Sequence, residues 1–299
     1  MDDWRSLYPF RSRFLEVNGR RMHYVDEGCG APLVMVHGNP TWSFYFRSLI
    51  SGLSDRFRCL APDHVGCGFS DRPTPRDYGF RLQDRVADFT AWMERVVPGD
   101  PVTLVVHDWG GMIAAAWAVE HPLRVARLVV LNTAAFCKPE GKPLPPVLSL
   151  LRRHPRTAAF LVCGLNLFAR GAARTATTRG LPPAVRAGLL APYRGGWKRR
   201  TALLRFVLDI PLSPADPSWS TVAAVDRALG RLRGKPVLIL WAGGDFVFDA
   251  DYLAEWRRRF PAAEVYAFPD AGHYLLEDEP VAALARIADF LARTGGPAD

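Results

Sequence analysis

Short apolar runs alternate with segments of helical period along most of the chain. The runs are Leu33–Val36, Cys59–Pro62, Val102–Val106, Leu128–Leu131, Val237–Trp241 and Val265–Phe268. Between them, Trp42–Leu53, Leu82–Val96 and Trp109–Glu120 repeat apolar residues at helical spacing. Near-continuous apolar strands separated by helices predict a mostly parallel sheet covered on both faces. Two earlier segments, Phe14–Val17 and Arg21–Val25, are joined by Asn18-Gly19 and predict an opening hairpin.

The alternation breaks from about Lys138 to Arg233. That stretch is rich in Pro, Gly, Ala and Arg, its apolar residues recur at helical spacing as in TALLRFVLDI, and no strand pattern interrupts it. It predicts a helical cap inserted into a discontinuous core. The expected division is 1–137 with 234–299 as the core and 138–233 as the cap.

Composition narrows the classes. Of 299 residues, 49% are apolar, enough for one large core or a core plus a lid. No run is long and apolar enough for a transmembrane helix. The opening MDDWRSLYPFRSR is charged and lacks the apolar region of a secretory signal. Five cysteines (Cys29, Cys59, Cys67, Cys137, Cys163) are odd in number and show no CxxC spacing, which predicts free thiols in a reducing cytosol and no metal site. The net charge is +8, nearly all of it arginine. Basic proteins can bind nucleic acid or anionic surfaces, but the arginines are spread along the chain without a nucleic-acid motif, which predicts a solvated surface.

The chemistry begins at VTLVVHDWGG, Val102 to Gly111. A buried strand ends in a tight, glycine-flanked turn before a helix, the geometry of a nucleophile elbow, and the tip is Asp108. Taken alone, an aspartate there also suits a helix N-cap. Two further segments favour the catalytic reading. LWAGGDFVFDADYLAEW puts Asp245 just after a strand, and DAGHYLLEDEP puts His273 after the last strand. Nucleophile, acid, histidine is the chain order of an α/β-hydrolase triad. In VMVHGNPTWSFYFR, the loop after Leu33–Val36 supplies one oxyanion N–H and the residue after the nucleophile the other. Those donors are the backbones of Asn39 and Trp109, whose side chains can also donate towards a departing anion.

Aspartate at the elbow changes the expected reaction. Serine needs a base and attacks acyl carbon, whereas a carboxylate with a reference pKa of about 3.9 is already ionised at neutral pH and suits displacement at saturated carbon. The ester so formed keeps a carbonyl beside the two N–H donors, and water activated by His273, held by Asp245, could hydrolyse it.

These residues resemble the haloalkane dehalogenase branch of the α/β-hydrolase superfamily over nearly the whole chain: HGNPTWSFYFR, PDHVGCGFSDRP, VVHDWGG, LNTAAF, GGDFVFD and DAGHY. The resemblance implies a mostly parallel eight-stranded sheet with flanking helices and an inserted cap. It implies Asp108 as nucleophile, His273 as base, Asp245 as acid, and Asn39 with Trp109 as the leaving-group clamp. In one dehalogenase subgroup the acid is a glutamate after the preceding strand; here that place reads LNTAAF, with Asn132 and no carboxylate.

The segment APYRGGWKRRTALLRFVLDIPLSPAD, Ala191 to Asp216, is similar to the lid of the β-lactone decarboxylases of bacterial long-chain olefin biosynthesis. Those enzymes convert cis-3-alkyl-4-alkyloxetan-2-ones to cis-alkenes and CO₂. The alternatives are a hydrolytic haloalkane dehalogenase, an epoxide hydrolase, for which the lid offers Tyr193 where two tyrosines are usual, and a non-catalytic binding protein. The resemblance implies a cytoplasmic enzyme with a hydrophobic small-molecule substrate, no metal, nucleotide or organic cofactor and no nucleic-acid partner. It also implies assembly with other olefin-pathway enzymes and proximity to a membrane.

Overall fold

The computed structural model describes residues 4–295. Eight strands form one sheet: β1 (Arg13–Val17), β2 (Arg20–Glu27), β3 (Pro32–Val36), β4 (Arg58–Pro62), β5 (Val102–Asp108), β6 (Val125–Thr133), β7 (Val237–Ala242) and β8 (Glu264–Phe268). Their spatial order is β1-β2-β4-β3-β5-β6-β7-β8. The hairpin partners β1 and β2 are antiparallel, as are β2 and β4; every other pairing is parallel. Each strand expected from the apolar pattern is present.

Every residue of β3, β5 and β7 is buried, because helices cover both faces. Alternation sorts their side chains: Leu33 and Met35 enter one apolar cluster, Val34 and Val36 the other. The helices before the insertion are α1 (Arg47–Leu53), α2 (Leu82–Val96) and α3 (Trp109–Glu120). The expected Trp42–Leu53 helix starts as a 3₁₀ turn over Ser43–Phe46 and becomes α-helical only at Arg47.

The stretch 138–233 contains helices and no strand: α4 (Pro146–Arg153), α5 (Pro155–Ala158), α6 (Leu167–Thr175), α7 (Pro183–Leu190), α8 (Thr201–Leu208) and α9 (Trp219–Ala228). A π-helical turn, Ala159–Gly164, lies between α5 and α6. Val222 and Val225 of α9 join the cluster that holds Ile113 of α3, and the two helices pack together. We therefore propose that the cap proper hands the chain back to the core at about Trp219. After β7 come α10 (Ala250–Arg259), α11 (Leu275–Asp278) and α12 (Pro280–Thr294).

One carboxylate fastens the cap to the core. Asp209, buried just past α8, accepts the Leu82 N–H at 2.8 Å and the Arg81 guanidinium at 2.9 Å. It thus shares with Ser218 Oγ, at 3.2 Å, a donor at the α2 N-terminus that has no partner within the helix, where negative charge is favoured. Among the described residues no helix is long and apolar enough to cross a membrane, and all five cysteines are free.

Candidate active site

The carboxyl ends of β3, β5, β7 and β8 deliver the five expected residues to one place, the edge where open α/β sheets carry ligand sites. Asp108 ends β5 with φ +50° and ψ −130°, a strained backbone. Two glycines make the turn possible. A Cβ on Gly110 would sit 2.0 Å from the Val36 carbonyl oxygen, and one on Gly38 would sit 2.0 Å from the Asp108 carboxylate itself.

The N-cap role open to an aspartate at this position is not realised, since Asp108 makes no side-chain capping bond to α3. Its Oδ1 instead accepts the Asn39 N–H at 2.6 Å. The neighbouring Trp109 N–H also acts on this carboxylate, favouring its charged form. The other oxygen, Oδ2, lies 3.8 Å from His273 Nε2, and His273 Nδ1 meets Asp245 Oδ2 at 2.7 Å. Asp245 is held in turn by the Val247 and Phe248 N–H groups, at 2.7 and 3.2 Å on its Oδ1.

Electrostatics follow from depth. Burial raises the Asp108 pKa above the ordinary carboxylate value, and this outweighs the opposing pull of His273 and of the Asn39 and Trp109 N–H groups. Burial acts to lower His273, but the Asp245 and Asp108 carboxylates win, so its pKa rises above 6.5. The pair is therefore a reluctant anion beside a readily protonated imidazole.

The side chains of the two donor residues line the cavity and also contact the cap. Asn39 turns one amide hydrogen away, donating to the Leu203 carbonyl of α8 at 3.2 Å. Trp109 lines the cavity and packs on Phe206 of α8, ring centroids 5.4 Å apart. Both thereby sense the position of the cap. The cavity, about 250 Å³, lies between α8, α4 and α6 of the cap and the sheet edge, and its walls are predominantly apolar. Asp108 and His273 open into it, with Phe136, Leu148, Phe168 and Val207 among the walls.

Tyr193, the lid tyrosine weighed for epoxide opening, does not line this cavity; it is buried and donates its hydroxyl to the Thr41 carbonyl at 3.0 Å. The phenol that does line it is Tyr252, from α10.

Three residues that sequence reasoning passed over hold the site. His107 sends Nε2–H to the His273 carbonyl at 2.9 Å and lies tilted against the His273 ring, centroids 4.7 Å apart; burial keeps its own pKa low, so it serves as a neutral strut. Asn132, noted only as lacking a carboxylate, accepts the Ala242 N–H at 2.7 Å and donates to the Phe248 carbonyl at 3.3 Å, which brackets the Asp245 loop. Asp278 accepts the Gly272 N–H at 2.7 Å and the Thr178 N–H at 3.0 Å, joining the His273 loop to the cap. The first of these was signalled by its place inside HDWG; the others by nothing short of the fold.

Comparison with known proteins shows the family. Residues 31–280 match the family model for the alpha/beta hydrolase fold. A cis-3-alkyl-4-alkyloxetan-2-one decarboxylase of Shewanella oneidensis is 42% identical, covering 97% of this chain and 91% of that one. Its counterpart in Xanthomonas campestris pv. campestris is 44% identical over 96% and 97%. Haloalkane dehalogenase 2 of Mycobacterium tuberculosis is 31% identical over 92% of each chain. Among solved structures, the haloalkane dehalogenase DatA from Agrobacterium tumefaciens superposes with a TM-score of 0.85 at 25% identity, covering 95% of this chain and 97% of that one.

Proposed function

Since this chain belongs to the α/β-hydrolase fold family, within the branch that includes cis-3-alkyl-4-alkyloxetan-2-one decarboxylases and haloalkane dehalogenases, we propose that it is a β-lactone decarboxylase. It converts cis-3-alkyl-4-alkyloxetan-2-ones to cis-alkenes and CO₂. The observation that carries this reading is the 42 to 44% identity, over nearly the full length, to two decarboxylases of that name. The site supports it with a carboxylate nucleophile set in an apolar cavity.

In this reading Asp108 Oδ2 attacks C4, the ring carbon bearing oxygen, inverts it and breaks the C4–O bond. The ring oxygen leaves as part of a carboxylate on C3. The C3–carboxylate bond then breaks; its electrons form the C3=C4 double bond as the C4–Oδ2 bond opens, which releases CO₂ and restores Asp108. Inversion followed by anti elimination is a net syn loss, so a cis-lactone gives a cis-alkene. The Asn39 and Trp109 N–H groups hold Oδ1 as the ester carbonyl, and His273 as imidazolium stabilises the departing carboxylate of Asp108.

The second reading, a haloalkane dehalogenase, is favoured by the structural neighbour and by the His273–Asp245 pair. It uses the same ester but hydrolyses it with water activated by His273. Both readings take a hydrophobic small molecule. We extend the first to a cytoplasmic enzyme assembled with others of olefin formation, near a membrane.

The deciding experiment is turnover of a synthetic cis-β-lactone in oxygen-18 water with product analysis by mass spectrometry. A cis-alkene with unlabelled CO₂ at release is expected. A β-hydroxy acid, or halide release from a haloalkane with an inert lactone, would overturn the proposal. A trans-alkene would overturn the order of steps.

A further inference from the structure

The arginines are spread along the chain, but the acids are not. Between Glu140 and Asp209 there are 13 lysines and arginines and no aspartate or glutamate. The rest of the chain, with 25 basic and 30 acidic residues, is net −5. The whole positive excess therefore sits in the cap, a feature that net charge alone conceals.

Much of that charge is exposed and outside any ion pair. Arg153, Arg156, Arg170, Arg174, Arg194 and Lys198 are exposed. None of these six forms an ion pair among the described residues; the cap's paired cations are Lys142, Arg152 and Arg179. Large apolar side chains are exposed among them. Val147 and Leu150, one helical turn apart on α4, are about half exposed, and so are Phe160 of the π-helical turn and Trp197. The rings of Phe160 and Trp197 both lie against Gly164, and α4, α5, the π turn and the Trp197–Arg200 turn pack in sequence. The patch adjoins the cavity, because Val147 and Leu167 are half exposed and also line it.

We propose that this face of the cap docks on an anionic phospholipid bilayer, with Leu150, Phe160 and Trp197 entering the interface and the arginines meeting lipid phosphates. Exposed aromatic and aliphatic side chains interleaved with arginines, in a stretch of chain that carries no acidic residue of its own, form the composition that binds at such an interface. A nucleic acid would satisfy the charge but not the apolar side chains, and a protein partner has no feature here that sets its shape. Docking turns the cavity mouth towards the bilayer, so an apolar substrate enters from lipid without crossing water. The proposal concerns a surface and holds for either reaction above.

The test is flotation of the full chain with vesicles of phosphatidylcholine alone or mixed with phosphatidylglycerol, at low and raised salt. Flotation with the mixed vesicles only, weakened by salt, is expected. Arg153→Glu and Arg156→Glu should each lower partitioning by at least about fivefold, the worth of one basic residue near the surface. Phe160→Ser with Trp197→Ser should lower it at unchanged charge; Leu150→Ser replaces that pair should it fail to fold by circular dichroism. No flotation with mixed vesicles, equal flotation with both kinds, or flotation untouched by all these variants would overturn the proposal. So would release from vesicles by stoichiometric duplex DNA.

Discussion

Replacing Asp108 by asparagine should abolish turnover and raise stability, while replacing it by alanine should abolish turnover and lower stability. The structure sets both signs. Burial raises the Asp108 pKa in the folded chain. As pH rises from about 4, the unfolded chain therefore loses this proton before the folded one, and stability falls until the native group has also ionised. Above the unfolded pKa this penalty is present, and asparagine removes it. The amide still offers an oxygen to the Asn39 N–H, now met by Oδ1 at 2.6 Å, and asparagine tolerates the positive φ better than most residues. The asparagine variant therefore melts above the parent at neutral pH. Alanine removes the acceptor as well and leaves buried N–H groups unpaired, which costs about 1–3 kcal/mol. Thermal melts by circular dichroism, run from pH 5 to 8 beside an activity assay, read all three proteins. The asparagine variant should melt highest and the alanine variant lowest, with the asparagine advantage shrinking towards pH 5. An asparagine variant that melts below the parent would refute the argument, since it would mean that the donors and His273 more than offset burial. Residual turnover within about tenfold of the parent would remove Asp108 from the nucleophile role.

Two other outcomes follow from the same geometry. His273→Phe should trap an alkyl ester on Asp108 wherever the reaction is hydrolytic, seen as added mass on the intact protein; in the parent such hydrolysis should fail below a pKa raised above 6.5, because imidazolium cannot take a proton from water. Lactone decarboxylation should persist below that point and fall only with protonation of Asp108, so coincident acid limbs for the two reactions in pH–rate profiles would contradict the assignment. Gly110→Ala forces a Cβ against the Val36 carbonyl at 2.0 Å and should destabilise by about 1–3 kcal/mol with loss of activity; a melt and turnover like the parent's would show that the elbow is more pliable than its packing implies.

The sheet was legible because each strand carries its own signature, a short apolar run bounded by turn residues, and the five candidate site residues were legible because each falls within five residues of the end of such a run. What escaped depends on contacts remote in sequence. Nothing local in LNTAAF tells that Asn132 reaches the Ala242 backbone 110 residues away, or that Asp278 accepts N–H groups from the cap. Tyr193 was noticed for its type, but its partner, the Thr41 carbonyl, is 152 residues distant. The individual cap helices were likewise indistinct, because Pro and Gly end them at short intervals and the apolar period runs through the breaks.

The interrupted core also has a history in synthesis. β6 ends at Thr133 and its sheet neighbour β7 begins at Val237, so a ribosome making about 5–20 residues per second leaves that edge of β6 without its strand for roughly 5–20 s. For that interval Val129, Val130 and Leu131, buried in the finished sheet, border an open ladder that can recruit other chains. The nucleophile is made early, and the acid and histidine come only with the last quarter of the chain. A nascent molecule therefore carries an exposed edge and an unarmed aspartate until its final strands arrive.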